Sequence, residues 1–226
     1  MEHTITKILV ANRGEIALRV MRTAREMGIK TVAIYSEADR RAPHVMFADE
    51  AVCIGPAPSA QSYLKGDKII SISIALGVDA IHPGYGFLSE NANFARNVEA
   101  AGMIFIGPRP QAIEIMGDKL SAKAAVENFD VPLVPGTEGE VKDVDEALEL
   151  AHAIGFPVMI KASAGGGGKG MRIVHNPDEF ASQMQLAVSE ATNSFGNGAV
   201  FVEKYIQNPR HIEIQILADE YGHVVH

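Results

Sequence analysis

The strongest constraint on the fold is an alternation of short apolar runs with helical segments in the first half of the chain. Runs typical of buried strands are KILVA, KTVAIYS, DEAVCIG, VDAIHPG and MIFIGP. After the first run, Ile16, Val20 and Ala24 recur at helical spacing, and Gly28 follows where a helix is expected to end. This alternation predicts an α/β domain with a mostly parallel sheet covered on both faces. We place that domain at residues 1–117.

The second half of the chain reads as a separate domain. DKLSAKAAVENF predicts a helical connector, and the prolines of VPLVPG mark a boundary at about residue 135. Beyond it, FPVMIKAS, GMRIVH and AVFVEKYI predict strands, and DVDEALELAHAIG and PDEFASQMQLAVSEATNSF predict helices. HIEIQILAD alternates with a period of two, which predicts a half-buried strand. ADEYGHVVH reads as a turn and the start of a returning strand, so we expect the natural protein to extend beyond His226.

Charge and cysteine content narrow the functional classes. The formal net charge is −8, and a field of that sign repels phosphate backbones, so nucleic acid is excluded as the main partner. Cys53 is the single cysteine, which rules out an internal disulfide and favours a reducing compartment. We read no secretory signal and no apolar run long enough to cross a membrane. These features predict a cytoplasmic protein.

The run KASAGGGGKG, residues 161–170, contains four consecutive glycines, which are costly to order. It is not a P-loop, because Ser163 stands where the first glycine is needed and Gly170 where Ser or Thr is needed. The G-x-G-x-x-G spacing inside the run is followed by a strand, which argues against a dinucleotide site. The H-R-D and D-F-G motifs of kinases do not occur in the sequence.

Two interpretations of the glycine run remain. In the first, it is a hairpin whose backbone N–H groups form a concavity for phosphates. Lys161 on the entering strand would then meet an α- or β-phosphate, and Lys169 would add charge at the tip. In the second, it is a surface loop without a ligand.

A family resemblance favours the first interpretation. ANRGEIALR, HPGYGFLSENANFA, FIGP, MGDKLSAK, KASAGGGGKGMRIV and EKYIQNPRHIEIQILAD follow one another in this order. Together they resemble the biotin carboxylase family of ATP-grasp enzymes from about Lys7 to His226. The resemblance implies a Rossmann-like pre-ATP-grasp domain with a parallel sheet (1–117), a helical connector (118–135), an ATP-grasp lid subdomain (136–205) and the truncated start of the large ATP-grasp subdomain (206–226).

The resemblance also implies an activity and its partners. Family members are ligases that use MgATP to activate bicarbonate as carboxyphosphate and then carboxylate biotin on a biotin carboxyl carrier protein or domain. A carboxyltransferase component and a homodimer, formed through the face with Arg22 and Glu26, are implied as further partners. Acetyl-CoA carboxylase of fatty acid biosynthesis, propionyl-CoA carboxylase and pyruvate carboxylase all use such a component, and the sequence does not choose among them.

The family's motifs assign nucleotide-binding roles to particular residues. Lysines of the connector and of the strand before the glycine run reach the phosphates, loop glycines cover them, the hinge reads adenine and ribose, and a histidine lies near the ribose. These residues are Lys119, Lys161, Gly167, Gly168, Glu203, Lys204, Tyr205, Ile206 and His211. The family's magnesium-binding carboxylates, bicarbonate-binding arginine and catalytic base lie beyond His226. We therefore expect no turnover by this chain alone and assign it no catalytic residue and no metal ligand.

Two further points stay open at this level. A contact of Tyr85 or Gly86 with biotin is a hypothesis beside a purely conformational role for HPGYG. The chain could also be a non-catalytic module that binds ATP or a partner. A different ATP-grasp ligase sharing the lid is disfavoured, because HPGYGFLSENANFA precedes the lid.

Overall fold

The computed structural model describes residues 4–117, 119–127, 129, 131–137, 139–141, 143–163, 171–196, 198–219 and 221–226. The chain divides into two compact units, Met1–Ala125 (unit 1) and Val126–His226 (unit 2). The fold of each unit follows from its own pattern of strands and helices.

Unit 1 is built on one parallel sheet. Its strands are β1 (Lys7–Val10), β2 (Lys30–Ser36), β3 (Glu50–Gly55), β4 (Ala80–His82) and β5 (Ile104–Phe105). Its helices are α1 (Gly14–Glu26), α2 (Pro43–Phe47), α3 (Gly66–Ala75), α4 (Ala92–Ala100) and α5 (Pro110–Gly117), and α6 (Lys119–Glu127) crosses the division between the units. The strand order is β3-β2-β1-β4-β5, and every neighbouring pair is parallel. The predicted parallel α/β fold is confirmed.

Apolar cores cover both faces of this sheet. Leu9 and Ile81 belong to a large cluster on one face, whereas Ile8 and Val10 pack with Met21 of α1 on the other. A sheet buried on both faces requires strands that are apolar at successive positions, and KILV meets that requirement. The order of strands reverses between β1 and β4, and such a switch point at the carboxyl ends of parallel strands is where open α/β sheets bind ligands.

Unit 2 contains an antiparallel sheet with two helices on one face. Its strands are β6 (Val158–Ala162), β7 (Met171–Val174), β8 (Val200–Lys204), β9 (Leu217–Ala218) and β10 (Val224–Val225), and its helices are α7 (Val144–Ile154) and α8 (Pro177–Phe195). The order β7-β6-β8 is antiparallel throughout. Gly136 and Val141 form single bridges to β8 on its other edge. The strands and helices predicted before and after the glycine run are confirmed.

Two sequence predictions are wrong in detail. The segment SENANFARNVEAAG predicts a helix with Ser89 as its N-cap, but α4 begins at Ala92 and its cap is Asn91, whose side chain accepts the Phe94 N–H at 2.8 Å. The reason is a tight turn before the helix, in which the Ser89 N–H donates to Gly86 O at 3.0 Å.

The predicted half-buried strand HIEIQILAD is reduced to the two residues of β9. Ile212, Ile214 and Ile216 are 74%, 66% and 61% exposed. Among the described residues, β10 is the only strand paired with β9, so a longer strand has no neighbour to form a ladder with. The turn predicted within ADEYGHVVH leads into β10, and the Asp219 carboxylate bonds both the backbone N–H and the ring nitrogen of His223.

Candidate functional site

The outer face of the β7-β6-β8 sheet collects several of the predicted nucleotide-binding residues. Along β6, Val158, Ile160 and Ala162 point into the core, so Met159 and Lys161 lie on the opposite face. In the register of β6 with β8, Met159 is opposite Glu203 and Lys161 is opposite Phe201. Directly opposed residues share a face, and therefore Lys161 and Glu203 project to the same side of the sheet.

Lys161 and Glu203 form an ion pair on this face. The Lys161 ammonium donates a hydrogen bond to the Glu203 carboxylate, and the two side chains are 22% and 14% exposed. Met159 stands next to both in the register, and Phe201 is almost completely buried. The pair is thus shielded by apolar neighbours, which strengthens the attraction between its charges relative to water.

Backbone hydrogen bonds fix the hinge, residues 203–206, at the end of β8. The Lys204 N–H donates to Pro135 O at 2.7 Å, and the Tyr205 N–H donates to Pro157 O at 3.1 Å. The Lys204 ammonium turns to the inner side, where it donates to Gly155 O at 2.8 Å and Phe156 O at 3.1 Å. Lys204 therefore holds the hinge in place with its side chain.

Ile206 is the first hinge residue released from these bonds. Within the described residues its N–H has no hydrogen-bond partner, and its side chain is 47% exposed. The backbone N–H of Ile206 can donate a hydrogen bond to a ring nitrogen of a flat heterocycle, and the exposed side chain can contact the face of the ring.

Sequence reasoning missed the apolar part of this face. Met171 and Ile173 of β7 are 39% and 40% exposed, and Ile173 is opposite Met159 in the register. Together with Met159 they make an apolar surface beside the Lys161–Glu203 pair. The period of two in VMIKA was the signal that could have found Met159, because it places that residue on the face of Lys161.

For the remaining predicted site residues the structure describes no contact on this face. Lys119 begins α6, but its side chain, like the whole of Gly167 and Gly168, lies outside the described residues. The His211 ring is 86% exposed and has its hydrogen bond with Glu213, at 3.2 Å.

A second polar cluster lies at the switch point of unit 1. Asn12, directly after β1, donates through its amide to Pro83 O at 2.8 Å and Tyr85 O at 2.9 Å in the loop after β4. Asn12 is almost completely buried, and a Cβ added to Gly84 would lie 2.6 Å from its amide nitrogen. The Asn12 side chain thus fills the crevice in which a dinucleotide-binding fold holds its phosphates. Tyr85, in the same loop, is 60% exposed.

Arg13, Asp39 and Tyr63 form a hydrogen-bonded cluster at the same edge of the sheet. The Arg13 guanidinium donates to both carboxylate oxygens of Asp39, at 2.7 and 2.5 Å, and the Tyr63 hydroxyl donates to Asp39 at 2.6 Å. Arg13 above all holds the pKa of Asp39 well below its usual range. Burial lowers the pKa of His82 and of His44, so both rings are neutral at pH 7.

Each half of the chain matches the model of a known protein family. Residues 4–113 match the family model described as "Biotin carboxylase, N-terminal domain", and residues 118–226 match "Carbamoyl-phosphate synthase L chain, ATP binding domain". The chain is 56% identical over 227 residues to the biotin carboxylase of Allochromatium vinosum. The aligned region covers 100% of this chain and 51% of that protein.

The chain belongs to the biotin carboxylase family.

Other relatives agree with this assignment. The propionyl-CoA carboxylase alpha chain of Ruegeria pomeroyi is 56% identical over 97% of the chain and 32% of its own length. The chain spans about half the length of the biotin carboxylases that it matches.

Solved structures of the family are also similar. The biotin carboxylase of Campylobacter jejuni, described as a β-γ-ATP complex, has a TM-score of 0.91 at 48% identity, over 99% of this chain and 50% of that one. The biotin carboxylase domain dimer of 2-oxoglutarate carboxylase from Hydrogenobacter thermophilus, in complex with MgADP, ADP and bicarbonate, has a TM-score of 0.89 at 51% identity, over 99% and 49%. These values support the ATP-grasp architecture predicted from the resemblance.

No group of three or more His, Cys, Asp and Glu side chains among the described residues could hold a metal ion. In the same part of the chain, no helix is long and apolar enough to span a membrane.

Proposed function

We propose that this chain supplies the nucleotide-binding face of a biotin carboxylase, an ATP-dependent ligase that carboxylates carrier-bound biotin with bicarbonate through carboxyphosphate. The observation that carries the proposal is the outer face of unit 2, where an ammonium, a carboxylate and an apolar surface lie side by side. Its support from outside is the family membership and the nucleotide complexes of two similar structures.

In this proposal Lys161 neutralises the α- or β-phosphate. Its ammonium stands on a rigid strand between two neighbours, so its position is fixed before the nucleotide arrives. Gly167 and Gly168 would cover the phosphates through backbone N–H groups, and Lys119 would add a second positive charge. Those three contributions rest on the family's motifs.

The base and the ribose would lie along the hinge. Met159, Met171 and Ile206 offer apolar contacts for the faces of adenine, and the Ile206 N–H offers a donor to a ring nitrogen. Glu203 would accept a hydrogen bond from a ribose hydroxyl. His211 would approach the ribose only after the exposed segment around it is ordered. Lys204 and Tyr205 would act through the backbone, since their bonds to Pro135 and Pro157 fix the hinge.

Magnesium, when bound, would neutralise the polyphosphate and polarise the phosphoryl group that is transferred. The described residues hold no cluster of three or more carboxylate, His or Cys side chains that fits a metal ion. The work of this chain is then to bind, orient and shield the nucleotide. Turnover, the biotin carboxyl carrier, a carboxyltransferase component and a homodimer belong to the proposal for the whole protein, in the reducing cytoplasm.

Calorimetry with the chain as it stands tests the nucleotide site. We expect ADP to bind with a stoichiometry of one and GDP to bind at least tenfold more weakly, because guanine presents a donor where adenine presents an acceptor to the Ile206 N–H. Glu190→Gln is the control variant, because it removes a carboxylate of unit 2 away from the proposed site, paired with Arg172 at 2.7 Å between α8 and β7. It should bind ADP and GDP as the wild type does. Equal affinity for the two nucleotides, or no binding of either, would refute the site.

A second measurement separates binding from turnover. Phosphate release from ATP, with and without bicarbonate, is expected to show no bicarbonate dependence for this chain. Bicarbonate-dependent release would show that the chain contains the complete machinery, and the proposal that it only binds would be wrong.

A further inference from the structure

We propose that Glu203 is a specificity-determining residue: its carboxylate occupies Lys161 and reserves that ammonium for ligands that carry a polyphosphate. This inference rests on the proposed nucleotide site and gives Glu203 a role separate from its ribose contact.

The geometry makes the carboxylate a competitor for incoming anions. Lys161 has Glu203 as its hydrogen-bond partner and no second partner within the described residues. Glu203 projects from the strand adjacent to β6, on the same face, so its backbone stays beside Lys161 and only a change of side-chain rotamer can separate the two charges. Any phosphate that reaches the ammonium must therefore displace the carboxylate or lie beside it.

The surroundings of the pair raise the cost of that exchange. The side chains are 22% and 14% exposed, and their neighbours on the face are Met159 and Phe201. With little water available, two anions near one ammonium repel each other more strongly than they would in bulk solvent. A single phosphate is attracted by one ammonium and repelled by one carboxylate, so its net gain is small. A polyphosphate carries several charges and makes further contacts, which offset the repulsion.

The consequence is a threshold of charge at the site. Inorganic phosphate and other small anions are held off by Glu203, and nucleoside di- and triphosphates are admitted because the base and the additional phosphates contribute their own contacts. The carboxylate also keeps Lys161 from being an unpaired, partly buried charge while the site is empty.

Titration of the full chain with parts of the nucleotide tests this role. The probes are sodium tripolyphosphate, inorganic phosphate and adenosine, each titrated by calorimetry in phosphate-free buffer with EDTA and low salt. For Glu203→Gln we expect tripolyphosphate to bind about fivefold more tightly than to the wild type, which corresponds to the loss of one partly exposed charge interaction, and inorganic phosphate to gain affinity by a larger factor than tripolyphosphate. Adenosine should bind equally or more weakly, because the variant offers ribose a poorer acceptor.

Three variants make the result specific. Lys161→Met should weaken the binding of tripolyphosphate and leave the affinity for adenosine unchanged. In the double variant the gain seen with Glu203→Gln should disappear, because no ammonium is left to release. Glu190→Gln removes the same charge from another ion pair of unit 2 and should change neither affinity.

Failure of the inference is distinguishable from failure of the proposed function. If the wild type binds ADP but Glu203→Gln binds tripolyphosphate no more tightly, the nucleotide site stands and the specificity role is wrong. If the wild type binds neither ADP nor adenosine, both are wrong. Should Glu203→Gln fail to fold, Glu203→Asp keeps the charge but withdraws it by one methylene, and it should shift tripolyphosphate affinity in the same direction by a smaller factor. An unchanged or weaker affinity for Glu203→Asp would likewise overturn the role.

Discussion

Replacing Gly84 by alanine should destabilise unit 1 by more than the same replacement at Gly86, two residues further along the loop. Both glycines have left-handed backbone angles, with φ of +65° and +69°. An alanine there costs about 1–2 kcal/mol in backbone strain. At Gly86 nothing lies within 4 Å of the added Cβ, so this strain is the whole expected cost.

At Gly84 the added Cβ would lie 2.6 Å from the Asn12 amide nitrogen, a distance that side chains do not tolerate. Asn12 must then move, and its hydrogen bonds to Pro83 O and Tyr85 O, at 2.8 and 2.9 Å, are lost or weakened. At about 1 kcal/mol for each bond, the expected cost for Gly84→Ala is about 3–4 kcal/mol.

Hydrogen exchange measured by mass spectrometry on the full chain gives the free energy of opening for the peptides of β1 and β4, separately from unit 2. The double variant with Asn12→Gly completes a cycle: it removes the amide and also the Asn12 Cβ, which lies 2.9 Å from the added atom, so Gly84→Ala should then cost only the strain of about 1–2 kcal/mol. Equal costs for Gly84→Ala and Gly86→Ala, or strict additivity in the cycle, would refute the claim that Asn12 holds the loop.

Three further predictions concern the charged groups. Lys161→Met should weaken ADP binding about tenfold or more, and an unchanged calorimetric Kd would contradict it. Burial lowers the pKa of His44, so the unfolded chain takes up the proton first; unit 1 should lose stability as the pH falls through about 6.5, and His44→Leu should flatten that profile in urea titrations followed by circular dichroism. Tyr63→Phe removes a hydroxyl that donates to Asp39 and accepts from the Ser36 N–H, and should cost about 2–3 kcal/mol; a change below about 0.5 kcal/mol would show that the bonds are dispensable.

The parallel sheet of unit 1 was predictable because each strand is apolar at successive positions. KILV and KTVAIYS leave no polar face, and only a strand covered on both sides needs that composition. Helix α7 was predictable for a similar reason, since Asp143 caps its first turn and Gly155 ends it with a positive φ.

The site was predictable only in part. Lys161 and Glu203 could be named from motifs, but no local pattern states that they form an ion pair, because that contact depends on the register between β6 and β8. The clamp of Asn12 on the loop after β4 is likewise a contact between residues about 70 positions apart, fixed by the order of strands. The strand predicted at HIEIQILAD failed because alternation describes which face is apolar and not whether a neighbouring strand exists.

The outer face of the β7-β6-β8 sheet is the proposed binding site for an adenine nucleotide. Photolabelling of the chain with 8-azido-ADP, followed by mass spectrometry of the peptides, tests it most directly. The label should be found on peptides that carry Met159, Met171 or Ile206, and unlabelled ADP should suppress it. Labelling confined to unit 1, or labelling that ADP does not suppress, would contradict the claim.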